Sequence, residues 1–309
     1  MPKAESRKPK AWRAICFCYA AAMIAKPLVA IVGAGNLGTV LASALRKAGY
    51  RIEAIIARSR GGSLKRAQRV ARELGVRAST DSSAASRAQL IWFCVPDAQI
   101  SRAARSLVDA REWKGIVALH SSGALGSDEL RVLRRSGAKV AAVHPLMTFV
   151  RGSQPSFVGV PFALEGDAAA LRVARRVVQD LGGRAYPIRK RDKAAYHAWG
   201  TFASPLFTAL LATTEKVATL AGVSQKEAKR RMLPILQQTL TNYAKFGAAG
   251  AFSGPIVRGD VDTVIRHLRV LSGAPAARAL YAELARAALC YLPVKHKSEL
   301  KKILDFRGR

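Results

Sequence analysis

Acidic residues are scarce in this chain. Twenty Asp and Glu stand against 51 Lys and Arg, a net charge of +31, so nucleic acid or an anionic membrane has to be weighed as a partner. The basic residues are spread rather than gathered. They recur on almost every predicted helix (Arg102 and Arg105, Arg134 and Arg135, Arg175 and Arg176, Lys229 to Arg231) among alanines, with neither an aromatic stacking platform nor a nucleic-acid-binding motif. They read as a solvated surface, with weak, salt-sensitive attraction to polyanions and no specific nucleic-acid partner. Cysteine is also sparse: Cys16, Cys18, Cys94 and Cys290 include no C-x-x-C pair, which points to reduced thiols and a cytoplasmic setting. The five histidines show no metal-ligand spacing among themselves, so no metal site is expected. There is no G-x-S-x-G elbow, which makes Ser/His/Asp hydrolysis a poor fit, and no P-loop. The apolar run Ala14 to Ala25 is too short to span a bilayer, and no stable membrane association is expected.

The informative stretch is Pro27 to Gly38. Leu28 to Val32 are too few apolar residues for an ordinary helix and read as a buried strand of a parallel sheet. The glycines of a G-x-G-x-x-G fingerprint follow at once. Gly33 permits the turn out of the strand, Gly35 lets backbone approach a pyrophosphate, and Gly38 lets the next helix pack closely; Asn36 and Leu37 complete the loop. The helix that follows ends at Gly49, and its N-terminus would hold phosphate. The acidic residue expected about 20 positions on, for the ribose 2′-hydroxyl, is missing. The second strand, Ile52 to Ala57, ends instead in Arg58-Ser59-Arg60. A guanidinium and a hydroxyl suit a 2′-phosphate, so NADP is favoured over NAD. The competing reading of Arg58 is the general abundance of arginine.

Residues 1–26 read as an N-terminal extension outside the fold. Their basic-then-apolar order has the form of a signal peptide, but Met23 just ahead of the first strand makes an upstream extension the simpler reading. Residues 27–190 alternate strand and helix as a doubly wound parallel sheet, an α/β Rossmann-like domain. Asp97 is expected to cap the helix after Val95-Pro96, and Ser127 the helix that runs to Arg135. After Arg189-Lys190-Arg191 the pattern becomes helical, so 191–309 form an all-helical C-terminal domain, with Pro205 and Pro234 predicting kinks.

Hydride transfer asks little of a protein beyond holding the cofactor against the substrate and supplying a proton donor. His120 and His144 each follow a strand directly, Ser121 and Ser122 offer hydroxyls, and Tyr196-His197 opens the first helix of the helical region. Taken singly, each histidine is as well explained by a hydrogen bond to backbone. The loop Ser253 to Asp260 carries Arg258, an anion clamp, and Asp260, which reads equally well as a helix N-cap.

With Val95-Pro96-Asp97, His120 to Gly126, His144 to Phe149, Gly159 to Gly166, Tyr196-His197 and Ser253 to Asp260 added to the glycine motif, the chain resembles a known family. These are Rossmann-like proteins with a C-terminal domain of unknown function, labelled NADP oxidoreductases of the deazaflavin-coenzyme type. They are similar to pyrroline-5-carboxylate reductase, ketopantoate reductase and the 6-phosphogluconate dehydrogenase superfamily. The resemblance implies a helical domain that dimerises, a site in the cleft between domains, and a family boundary that falls earlier, near 144. Two positions depart from the pattern: Pro205 follows Ser204 where many relatives have Asn, and Lys193 is followed one turn later by His197 where hydroxyacid dehydrogenase cousins have Asn. The expectation is a cytoplasmic NADP(H)-dependent oxidoreductase, a homodimer through the helical domain, acting on a small carbonyl or imine. His144, His197, His120 and Ser121 are its candidate catalytic residues. Gly33, Gly35, Asn36, Leu37, Gly38, Arg58, Ser59, Val95 and Pro96 would bind cofactor, and Ser122, Tyr196 and Arg258 substrate. The alternative is a nucleotide-binding sensor or assembly protein without turnover.

Overall fold

A computed structural model describes residues 26–58 and 61–305. Cys16, Cys18, Met23, Ser59, Arg60 and the apolar run Ala14 to Ala25 therefore lie outside the described residues. The chain divides into two compact units, Met1–His197 and Ala198–Arg309. Lys26, grouped above with the extension, is tied to the first unit: its ammonium donates to the Ala48 carbonyl at 2.5 Å and meets the Asp180 carboxylate at 3.2 Å.

The first unit is one sheet of eight strands, β1 (Val29–Val32), β2 (Ile52–Ile56), β3 (Arg77–Ser79), β4 (Leu90–Phe93), β5 (Val117–His120), β6 (Lys139–Pro145), β7 (Pro161–Gly166) and β8 (Arg184–Pro187). Their order is β3-β2-β1-β4-β5-β6-β7-β8. The chain winds outward from β1 to one edge, then crosses back to β4, so the order reverses between β1 and β4 and leaves a crevice at their carboxyl ends. Helices α1 (Asn36–Lys47), α2 (Gly62–Leu74), α3 (Ile100–Leu107), α4 (Arg131–Arg135) and α5 (Ala168–Asp180) make the connections. The strands are buried on both faces, which is why they read as unbroken apolar runs. Alternate residues serve opposite layers: Val29, Ile31, Leu90 and Trp92 pack with α1, α2 and α5 residues such as Leu41, Val70 and Val177. Ala30, Val32, Ile91 and Phe93 pack with Ile100, Leu107 and Leu133 on the other side.

One departure from the expected parallel sheet concerns β7, which pairs antiparallel with β6, Val143 opposite Leu164. The connection between them, residues 146–160, contains no helix, and without a crossover helix the chain cannot return to start a parallel neighbour. The remaining β7-α5-β8 unit is parallel, as its helix requires.

The second unit is helical. Helix α6 (Lys193–Thr201) carries the chain across the division, and a π-helical turn, Phe202–Leu206, surrounds Pro205. A proline removes a donor and pushes away the preceding turn, so the wider turn answers the predicted break. Then come α7 (Phe207–Thr219), α8 (Gln225–Ala251), α9 (Pro255–Arg258), α10 (Val261–Val270), α11 (Pro275–Tyr291) and α12 (Lys297–Asp305). The break expected at Pro234 is absent from the dihedral angles: α8 stays helical there and departs at Gly247 instead, where φ is +69°. Val264, Leu268, Ala285, Leu300 and Leu304 form a small core. Among the residues of α8, 27 long, only Ala228 is buried. No helix among the described residues is long and apolar enough to cross a membrane.

Candidate active site

The glycine loop is built for close approach. Gly33 has φ +104°, and a Cβ there would lie 2.5 Å from the Cys94 carbonyl oxygen; one on Gly38 would lie 2.0 Å from the Gly33 carbonyl oxygen. Both positions are closed to any side chain by backbone. Gly35 differs, because the nearest protein atom to its would-be Cβ is 3.9 Å away, so its lack of a side chain leaves the loop open outward. Gly35 also precedes α1, whose first turn holds no acidic residue and has no side-chain cap. The free N–H groups and the positive end of the helix dipole favour an anion there. The Asn36 amide donates to the Phe149 carbonyl at 3.0 Å, pinning the stretch after β6 to the start of α1. Leu37 packs partly into the core beneath.

A cavity of about 250 Å³ opens beside this loop, at the ends of β1, β2 and β4. Arg58, Thr80, Ser82, Val95, Gln99 and Arg102 are among its lining residues, and none of the lining residues is acidic. Neither Glu53 nor Asp81 lines it. Glu53 Oε1 accepts from the Arg87 backbone N–H and guanidinium, each at 3.2 Å, while its Oε2 is buried without a partner, and Asp81 spends both oxygens on Ser83. Pro96 starts the 3-10 turn Asp97–Gln99. Asp97 does not cap the helix as expected: its carboxylate accepts from the Ser122 hydroxyl at 2.8 Å, drawing the ends of β4 and β5 together. In the sequence Arg102 is one of the scattered basic residues, and no local pattern sets it apart from Arg105 one turn later.

At the ends of β5 and β6 the structure gathers six candidates and one residue not counted among them. His120 is fully buried. Its Nδ1 accepts from the Ser122 N–H at 3.2 Å, which leaves the proton on Nε2 to donate to the Gly126 carbonyl at 2.9 Å. Burial pushes its pKa down to about 4, against the raising effect of the Gly126 bond. His120 is thus a neutral brace for the loop 121–126. Ser121 is similarly engaged, its hydroxyl accepting from the Trp92 indole N–H at 2.8 Å, and Ser122 bridges Asp97 and the Leu125 N–H.

His144 is the more available ring. Its Nδ1 lies 3.2 Å from the Tyr196 hydroxyl oxygen, and its ring meets those of Tyr196 and His197 edge to face, with centroids 5.5 and 5.8 Å away. Gly123 makes this possible: a Cβ on it would lie 2.5 Å from His197 Cδ2 and 2.9 Å from His144 Nε2. Burial, then the charge of Lys193, then His197 and His120, push the His144 pKa down to about 4. Burial pushes the Tyr196 hydroxyl up to about 12. Both groups are therefore neutral at pH 7, a protonated phenol beside an uncharged imidazole.

Lys193 is the unforeseen member. It is fully buried, and its ammonium donates to the Ser122 carbonyl at 3.1 Å. Burial lowers its pKa, with Glu165 and Asp97 acting in the opposite sense. The sequence marks Lys193 only through the resemblance, as a lysine followed one turn later by His197 where the hydroxyacid dehydrogenase cousins have Asn; its burial is what the fold adds. Glu165, on β7, is itself fixed by the Ser127 N–H at 2.7 Å and the Ser127 hydroxyl at 2.9 Å. Ser127 thus serves a tertiary contact and not the expected cap, the position before the turn being Gly126.

Arg258 belongs to the second unit. Its guanidinium meets the Asp260 carboxylate through Nη2 at 2.7 Å and Nε at 2.9 Å. Asp260 does precede α10, yet its side chain makes no cap bond. Among the described residues no group of three His, Cys, Asp or Glu could hold a metal ion. Cys94 and Cys290 are free, and burial pushes the Cys94 thiol up to about 12.

Against this geometry, two family models match. One, a Rossmann-like domain, covers residues 20–145, and the other, a domain of unknown function (DUF2520), covers residues 160–288. The chain thus matches a Rossmann-like domain and, after it, DUF2520. The DUF2520 match begins just ahead of β7, inside the first compact unit, so β7, α5 and β8 fall within it. No curated protein matches the chain. Solved structures do. A protein of Bacteroides fragilis, provisionally classed as an NADP oxidoreductase, is 22% identical with a TM-score of 0.72, over 85% of this chain and 97% of that one. A reductive aminase of Aspergillus terreus, in complex with NADPH and ethyl-5-oxohexanoate, is 15% identical with a TM-score of 0.63, over 90% and 99%. A pyrroline-5-carboxylate reductase of Coxiella burnetii is 14% identical with a TM-score of 0.55, over 85% and 98%. At such identities the likeness is one of fold, and chemistry has to be argued from the site.

Proposed function

We propose that the protein is an NADP(H)-dependent oxidoreductase that reduces a small carbonyl or imine. The observation that carries this reading is the pairing, at the carboxyl ends of one sheet, of an open glycine loop with a neutral His144–Tyr196 couple above a buried ammonium. The loop and α1 would hold the pyrophosphate, Val95-Pro96 would flank the cofactor, and Arg58 would meet the 2′-phosphate. The residues present fit the group: the Gly35 position is open outward and no acid lines the adjoining cavity. The bound nicotinamide would supply hydride chemistry. The structural relatives that name NADPH or a cyclic imine as ligand or substrate support the same class.

The protein's own contribution is proton supply and charge. Where negative charge grows on the substrate's oxygen or nitrogen, the Tyr196 hydroxyl would donate a proton. His144 Nδ1 would orient that hydroxyl, solvent would return the proton to the phenolate, and His197 faces the same ring. The fixed Lys193 ammonium adds positive potential in a setting of low polarity, where such potential acts most strongly. His120, Ser121 and Ser122 brace the loop, and Gly123 lets the two histidines face each other. Because Arg258 is committed to Asp260, an acidic substrate would have to compete for it.

The same reading makes the protein a homodimer through its helical part. Helix α8 leaves Leu233, Leu240, Tyr243 and Phe246 exposed, and a second copy of α8 would cover them. A helix that buries almost none of its apolar side is not stable by propensity alone. The reduced thiols suit a cytoplasmic enzyme.

The test is NADPH oxidation by the purified full chain with ketones, keto acids and ketone–amine mixtures. Wild type should turn over, and His144→Gln should lose roughly 100-fold or more in kcat while keeping its affinity for NADPH. Wild-type activity in both His144→Gln and Tyr196→Phe would refute the assignment.

A further inference from the structure

The cavity beside the glycine loop contains two arginines from different elements, Arg58 directly after β2 and Arg102 on the first turn of α3. We infer that Arg102 is the second arm of a clamp for the cofactor's 2′-phosphate and sets the preference for NADPH over NADH. This rests on the cofactor reading above and adds a residue that neither the glycine fingerprint nor its strand pattern indicates.

Three observations support it. A 2′-phosphate monoester carries a charge between about −1.5 and −2 at neutral pH, as other phosphomonoesters do, so one guanidinium neutralises only part of it; the cavity offers two. The arginines that brace this fold are paired with carboxylates: Arg134 with Asp128 and Asp167, Arg176 with Asp180, Arg286 with Glu283 and Asp305. Among the described residues Arg58 and Arg102 make no ion pair of that kind, so their donors face the cavity without a carboxylate partner there. The polar lining otherwise consists of Thr80, Ser82, Gln99 and Ser106. These can donate to a phosphate, but no carboxylate lines the cavity to accept from a free 2′-hydroxyl. The site therefore rewards the phosphate and has little to offer the bare ribose.

The experiment compares wild type, R102A, R102K and R58A in the full chain for binding of NADPH, NADH, adenosine 2′,5′-bisphosphate and 5′-AMP, with a thermal melt as the folding control. R102A should weaken NADPH and the bisphosphate by roughly 10- to 100-fold, the loss of one charge-assisted contact. It should leave NADH and 5′-AMP within about twofold. The salt dependence of NADPH binding should flatten, and R102K should recover part of the loss. A wild type that prefers NADPH while R102A keeps the full preference overturns the inference and leaves the cofactor reading standing. Equal loss of NADH and NADPH would mark Arg102 as merely structural and also overturns it. A wild type that binds neither dinucleotide overturns the cofactor reading and the clamp together.

Discussion

His120 and His144 are held neutral by their surroundings, and the consequence can be measured as a loss of stability in mild acid. An unfolded histidine titrates near 6.5, whereas both side chains are pushed to about 4 in the folded protein. Between those values the unfolded chain takes up a proton that the folded one refuses. Stability therefore falls as pH drops through this window and levels off below about 4; above 6.5 the two histidines add no slope. For His120, which is fully buried, the gap corresponds to about 3 kcal/mol, of which about 2 kcal/mol is gone by pH 5. His144 is partly exposed and contributes less. The assay is denaturant unfolding at a series of pH values for wild type and His120→Gln, alongside NMR titration of labelled histidine. Gln retains one donor for the Gly126 carbonyl and one acceptor for the Ser122 N–H, so the variant should fold and lose only the slope. Identical slopes in the two proteins, or a His120 resonance titrating near 6.5, would refute the reasoning.

Two further predictions concern the loop and the helical unit. Gly38→Ala places a methyl group 2.0 Å from the Gly33 carbonyl oxygen; backbone must move, at a cost of about 1–3 kcal/mol in melting experiments, and NADPH affinity should fall at least roughly tenfold. Leu240→Glu puts charge on the exposed apolar side of α8 and should convert a dimer to monomers in sedimentation experiments; a wild type that sediments as a monomer contradicts the role given to that face.

Much of the fold was legible because a strand buried on both faces is written as an unbroken apolar run, and β1, β4 and β5 are such runs. The glycine loop was legible for a similar reason: Gly33 and Gly38 are dictated by neighbours close in sequence or at the end of an adjacent strand. What the sequence hid depends on partners far along the chain. Asp97, Ser127 and Asp260 each stand at the start of a helical segment, yet their side chains serve Ser122, Glu165 and Arg258. A polar side chain ahead of a helix has the same local pattern in either role. The direction of β7 follows from a connection without a helix, whose course a period-two pattern does not reveal. Lys193 and Arg102 were obscured by charge: among 51 basic residues, burial of one and lack of an acidic partner for another are visible only in three dimensions.

The central claim is that this site passes hydride from NADPH to a small carbonyl or imine with a proton from the Tyr196–His144 couple. Its most direct measurement is deuterium transfer from NADPH labelled at nicotinamide C4, followed by mass analysis of products from ketone and ketone–amine mixtures. The account predicts deuterium in the reduced product with wild type and a loss of roughly 100-fold or more in its rate with His144→Gln. Tight NADPH binding with no deuterium in any product across the panel would contradict it and leave a protein that binds the cofactor without turnover.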